Sequence, residues 1–177
     1  ETAKQVYKEL KKKKYNVIIS EPDKNLLNKI NKFKPNVVFN ALHGQFGEDG
    51  YIQTLLESTG IPYTHSGVIS SAKAMDKQVS KKIFIKNKIL TPKFFPYSFD
   101  LSRSILIKKI KKKLKFPVVI KPINEGSSLG VYICKNIKQL KKKYELLSKS
   151  YNRILFEKYI PGREIQAAIM GNKAIGA

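Results

Sequence analysis

Apolar residues recur along the chain in two alternating rhythms, and the alternation predicts most of its elements. From Thr2 to Lys14 they fall at helical spacing, with Val6 and Leu10 on one face, and the run Asn16–Ser20 then reads as a strand. Asn25–Phe33 repeats the helical pattern, Pro35 breaks it, and Asn36-Val-Val-Phe-Asn40 is a second strand. Tyr51–Ser58 and Val68–Met75 are helical and flank a short extended Ile61-Pro-Tyr63. Helices alternating with short apolar strands predict a parallel sheet with helical crossovers, which gathers ligands at the carboxyl ends of its strands. The loop at that position, Ala41–Gly50, carries Gly44, Gly47 and Gly50.

The pattern shifts near Met75. Asp76–Asn87 predicts a helix with Asp76 as its N-cap, Thr91–Tyr97 a proline-marked strand, and Leu101–Leu114 a helix. The apolar run Phe116–Ile120 is a buried strand, joined through Lys121–Gly130 to the strand Val131–Cys134. Ile137–Ser150 is a helix and Arg153–Glu157 a strand. After the turn Pro161-Gly162, Glu164–Met170 and Lys173–Ala177 form an antiparallel pair. Helices beside antiparallel strands predict an α+β module following the first α/β one.

Composition narrows the class. With 42% hydrophobic residues in 177, the chain is globular, as one large domain or two small ones. No apolar run approaches the roughly 20 residues of a membrane span, and the start shows no signal-peptide pattern. The single cysteine, Cys134, lies in an apolar strand and fits a reducing cytoplasm. The net charge of +22 would ordinarily point to nucleic acid. The excess is lysine, however, with Arg103, Arg153 and Arg163 the only arginines, and it is spread over helices that already have apolar faces. Base readers favour arginine and aromatic residues, so the lysines read as solvated helix faces in a protein that binds neither nucleic acid nor membrane. Their field would also draw in a polyanion such as ATP.

Candidate chemistry centres on Lys121-Pro-Ile-Asn-Glu-Gly-Ser-Ser-Leu-Gly130. A lysine at the end of a buried strand is uncommon without a partner. Here Gly126, Ser127 and Ser128 follow, whose N–H groups and hydroxyls suit phosphoryl oxygens, although Gly-Ser-Ser also makes ordinary hairpins. Lys77, on a lysine-rich helix, would alone read as a surface charge. His43, in the glycine-rich loop, is open to three readings: metal ligand, general base or substrate contact. His65 is the only other histidine and no ligand spacing supports metal. Glu48 and Asp49 read as caps of the helix at Tyr51.

Five motifs occur in order: His43-Gly44 with Gly47-Glu48-Asp49-Gly50; Tyr63-Thr-His-Ser-Gly67; Met75-Asp76-Lys77; Lys121-Pro122 with Glu125-Gly126-Ser127-Ser128; and Glu157-Lys158-Tyr159-Ile160 with Gly162 and Glu164. Together they resemble the D-alanine–D-alanine ligases of the ATP-grasp superfamily over nearly the whole chain. The resemblance implies an α/β fold in which a Rossmann-like pre-ATP-grasp domain (1–75) precedes an α+β ATP-grasp domain. The latter comprises a small central part (76–156) and the start of a large one (157–177), truncated. It implies that Lys77 and Lys121 contact ATP phosphates, that Gly126 and Ser128 close the loop over them, and that Ser127 helps position substrate. Glu157, Lys158 and the Ile160 backbone would read adenine, Glu164 the ribose, and His43 would lie beside the first D-alanine.

The activity implied is cytoplasmic ligation of two D-alanines for bacterial peptidoglycan through an acyl phosphate, with ATP and Mg²⁺ or Mn²⁺, in a protein that dimerises at full length. The chain departs from that pattern at both ends. The opening strand with its glycine-rich loop and the Mg²⁺ ligands are not in it, which predicts a fragment without ligase activity of its own. Alternatives are another carboxylate–amine ligase, such as one using D-lactate, a basic nucleic-acid-binding module, and a degenerate nucleotide-binding relic.

Overall fold

A computed structural model describes residues 2–98 and 103–176. Its elements run α1 (Thr2–Lys12), α2 (Leu26–Phe33), α3 (Tyr51–Glu57), α4 (Val68–Met75), α5 (Lys77–Lys86), β1 (Phe94–Ser98), α6 (Arg103–Lys113), β2 (Val118–Pro122), β3 (Tyr132–Cys134), α7 (Ile137–Ser148), β4 (Arg153–Lys158), β5 (Ala168–Met170) and β6 (Lys173–Gly176). Leu101 and Ala177, the expected limits of a helix and a strand, lie outside the described residues.

The second half is built on a four-stranded antiparallel sheet in the order β1-β4-β2-β3. The pairings Phe95↔Phe156 and Ile120↔Phe156 put those residues, with Tyr97, Val118 and Ile154, on one face. Side chains alternate along a strand, so the neighbouring positions face the other way. The first face is covered by α6 through Leu106 and Ile110, by Leu114 just beyond it, and by α7 through Leu140, Tyr144 and Leu147. These positions are three or four residues apart, one stripe on each helix, which leaves the lysines on the outer surface. Asn136 caps α7 by accepting from the Gln139 N–H at 3.0 Å.

The first half departs from expectation in its sheet. Residues 16–20 form no strand, and residues 36–40 are reduced to one parallel bridge, Val38↔Tyr63. A strand is defined by its ladder, and these apolar segments have none beside them among the described residues. Ile18, Ile19, Val37 and Phe39 stay about half exposed. They border an apolar cleft of about 820 Å³ shared with α1 and α2, and none of the expected site residues lines it. The small core here is Ile30, Ile52 and Leu56.

Candidate functional site

The sheet face turned away from α6 and α7 holds the chemistry. The register Val119↔Glu157 and Lys121↔Leu155 puts Lys121 and Glu157 on that face, diagonal to one another, and Phe94↔Glu157 adds Phe94 beside them. Helix α5 lies over it. Asp76 starts this helix by accepting from the N–H groups of Gln78 at 2.9 Å and Val79 at 3.0 Å. Its other oxygen meets the Arg153 guanidinium at 3.1 Å, and Arg153 also donates to Gln78 Oε1 at 3.0 Å. The helix start is thereby tied to the first residue of β4.

Three lysines converge here. The Lys121 ammonium donates to Glu157 Oε1. Lys81 Nζ lies 2.8 Å from Glu157 Oε2 as an ion pair that lacks the alignment of a hydrogen bond. It also donates to Thr91 Oγ1 at 2.7 Å and Pro92 O at 3.3 Å. Burial pushes the Glu157 carboxyl upward, but Lys121 and Lys81 together hold it below its ordinary value. Lys77 donates to the carbonyl oxygens of Glu125 and, at 3.4 Å, Ile123. Its backbone N–H also donates to Ile123 O at 3.1 Å. Burial first, and then the charge of Lys121, lower its pKa below that of an ordinary lysine, against the opposing pull of Glu125, Glu157 and Asp76. Half-buried ammonium groups that repel one another favour an anion between them.

The loop after β2 sits next to this cluster. Ser127 and Ser128 both take left-handed backbone conformations, at φ 46° and 59°, and both are exposed. Two successive non-glycine residues in that region cost on the order of 1 kcal/mol or more each, the kind of strain that persists where a loop is shaped for a ligand. Turns hold the shape: Leu129 N–H donates to Gly126 O at 3.0 Å, and Val131 N–H to Ser128 O at 3.3 Å.

Gly126 joins this loop to the glycine-rich one in the first half. A Cβ on Gly126 would stand 3.1 Å from Gly44 Cα and 3.3 Å from Glu48 Oε2. The first loop is itself pinned by two buried amides, since Asn40 Nδ2 and Gln53 Nε2 each donate to Gly47 O at 2.9 Å. Glu48 differs from its expected capping role. Its Oε2 accepts from Gly44 N–H at 2.6 Å and its Oε1 lies 3.9 Å from His43 Nδ1, so it points back into the loop. Asp49 does cap, accepting from Tyr51 N–H at 3.0 Å. The exposed His43 ring has Thr2 Oγ1 at 3.4 Å from Nε2.

Thus Lys77, Lys121, Glu157 and the Gly126–Ser128 loop come together, and His43 lies in the loop that touches Gly126. Lys158 ends β4, where its N–H donates to Lys93 O at 2.8 Å. Ile160 and Glu164 follow in an irregular, exposed segment, and Glu164 makes no hydrogen bond or ion pair among the described residues. Sequence reasoning missed Lys81, Thr91 and Arg153. No group of three or more His, Cys, Asp or Glu side chains suited to a metal occurs among the described residues, and no helix there is long and apolar enough to cross a membrane.

Two family models match the chain: "D-ala D-ala ligase N-terminus" over residues 20–66 and "D-ala D-ala ligase C-terminus" over residues 93–177. The chain is 64% identical over 177 residues to a D-alanine–D-alanine ligase of Pelagibacter ubique, covering all of this chain and 58% of that protein. It resembles the Bacillus anthracis D-alanine–D-alanine ligase solved in complex with ATP, with a TM-score of 0.70 and 36% identity over 85% of this chain and 50% of the other. It also resembles the VanG D-Ala:D-Ser ligase of Enterococcus faecalis, with a TM-score of 0.64 and 32% identity over 72% of this chain and 37% of the other. The chain thus spans about half the length of the curated relatives it matches.

Proposed function

The chain belongs to the D-alanine–D-alanine ligase family, and from that premise we propose that it forms much of the nucleotide site of an enzyme joining two D-alanines at the expense of ATP. The observation that carries the reading is the convergence of Lys77 and Lys121, on α5 and β2, beside the strained Gly126-Ser127-Ser128 loop. Phosphoryl transfer asks a protein chiefly for positioning and for positive charge around the transferred group. This face offers both.

In the proposed reaction a carboxylate oxygen of the first D-alanine attacks the γ-phosphorus of ATP. The bond to the β–γ bridging oxygen breaks, leaving ADP and an acyl phosphate. The amine of the second D-alanine adds to the acyl carbon, and the tetrahedral intermediate expels phosphate as the nitrogen gives up its proton. Lys77 and Lys121 offset phosphate charge, Gly126 and Ser128 close over it, and Ser127 orients the substrate side. His43, carried by the loop that touches Gly126, faces the first D-alanine. Glu157, Lys158 and the Ile160 backbone form the adenine side, and Glu164 the ribose contact. The divisions at about residues 75 and 156 belong to the same proposal, with β4 running unbroken across the second.

The described residues do not fit the divalent cation that this chemistry uses in the family. The buried carboxylate nearest the cluster, Glu157, is taken by two ammonium groups, and Asp76 is taken by its helix and Arg153. No step is therefore assigned to a metal here. Dimerisation, a cytoplasmic location and a place in cell-wall synthesis are likewise proposals for the whole protein.

A second reading, ligation of D-alanine to a different second substrate, is favoured by the similarity to the D-Ala:D-Ser ligase. Both readings are tested with the protein expressed over the length of its relatives and supplied with ATP and D-alanine, with D-serine or D-lactate added in turn. D-alanyl-D-alanine as the dominant product supports the first. A mixed product in preference to it supports the second, and ADP formation that ignores D-alanine overturns both.

A further inference from the structure

The two lysines on Glu157 are not equivalent. Lys81 is 6% exposed, and its ammonium is used up by Thr91 Oγ1, Pro92 O and Glu157 Oε2 while standing 5.0 Å from the centre of the Phe94 ring. Buried among these contacts, it is closed to a ligand. Lys121 is the more open of the two, and its one partner among the described residues is Glu157. An ammonium carries three N–H donors, so two of those on Lys121 have no acceptor among the described residues. They lie at the end of β2, where the Gly126–Ser128 loop begins to turn.

We propose that Lys81 is a positioning residue whose fixed ammonium keeps Glu157 neutralised and in place, so that Lys121 is released from Glu157 to a phosphate of the bound nucleotide. A buried carboxylate deprived of its only cation is strongly disfavoured. Were Lys121 the sole partner of Glu157, moving it to a phosphate would strand that carboxylate. With Lys81 in place the transfer leaves Glu157 paired. This inference rests on the reading of the face as a nucleotide site.

The test compares ATP with adenosine by titration calorimetry, on the protein expressed over the length of its relatives. In Lys81→Met, Lys121 stays bound to Glu157. The expected result is ATP binding weakened by about 10- to 100-fold, the worth of one charge-assisted contact, with adenosine binding changed by less than about threefold. The double variant Lys81→Met/Glu157→Gln has no carboxylate to hold Lys121 and is expected to restore the ratio of ATP to adenosine affinity, in which any effect of Glu157→Gln on the adenine side cancels. It also leaves no buried unpaired charge, so it serves if the single variant folds poorly. Parallel weakening of ATP and adenosine in Lys81→Met, or unchanged ATP binding, overturns the proposal. So does a folded double variant that still discriminates against ATP. If the unsubstituted protein binds neither ligand, the nucleotide-site reading itself falls, and this inference with it.

Discussion

Glu157 is where residue-level forces are most finely opposed. Its folded pKa lies below the ordinary 4.5, so its ionised form adds stability that is fully present above that value. The contribution is lost as pH falls through the lower, folded value. Acid unfolding of Glu157→Gln is therefore expected to be flatter in that window than that of the unsubstituted chain, measured by denaturant melts across pH. Lys77 behaves in the opposite sense. Its lowered pKa means that charge is lost at lower pH than the 10.5 of an ordinary lysine, and a bound phosphate would restore it. ATP binding at alkaline pH is expected to take up protons, visible as a heat that depends on buffer ionisation. Lys77, Lys121 and the glycine-serine loop were legible in the sequence because short motifs with a physical purpose surround them. Lys81 was not, since one lysine among many on α5 looks like a solvated charge until the fold places Glu157, Thr91 and Phe94 around it.

At the scale of elements, the antiparallel half was readable, and in the first half the four helices were but the parallel sheet was not. Strands β2 and β4 are continuous apolar runs whose partners lie within the chain, and both faces of the sheet are covered. Segment 16–20 has the same apolar character but no ladder, and a strand cannot be inferred from one side alone. The hairpin loop has a sharper requirement. Gly130 sits at φ +69°, where a Cβ would come within 2.8 Å of Pro122 Cγ and 2.9 Å of its Cδ. Gly130→Ala is expected to cost on the order of 2–4 kcal/mol in urea unfolding, from strain and overlap together. Phe156→Ala, in the middle of the sheet, is expected to cost about 3–5 kcal/mol. Asp76→Ala removes the cap of α5 and is expected to cost about 1–2 kcal/mol.

Across the whole molecule, two loops distant in sequence meet where Gly126 packs on Gly44, bringing the loop of His43 to the glycine-serine loop. Such an approach is how a carboxylate substrate and a nucleotide could share one reaction volume. The sequence gives each loop separately; that they touch is a property of the fold. The net charge of +22 lies mostly on outer helix faces, while Lys81 is buried and Lys77 and Lys121 are partly so, and the abundance of lysine concealed Lys81. The most direct measurement is ADP release by the protein expressed over the length of its relatives, with and without D-alanine, alongside Lys121→Met. ADP release that depends on D-alanine, matches D-alanyl-D-alanine mole for mole and falls by about 100-fold or more in Lys121→Met is the predicted result. Release indifferent to D-alanine, or undiminished in Lys121→Met, would contradict it.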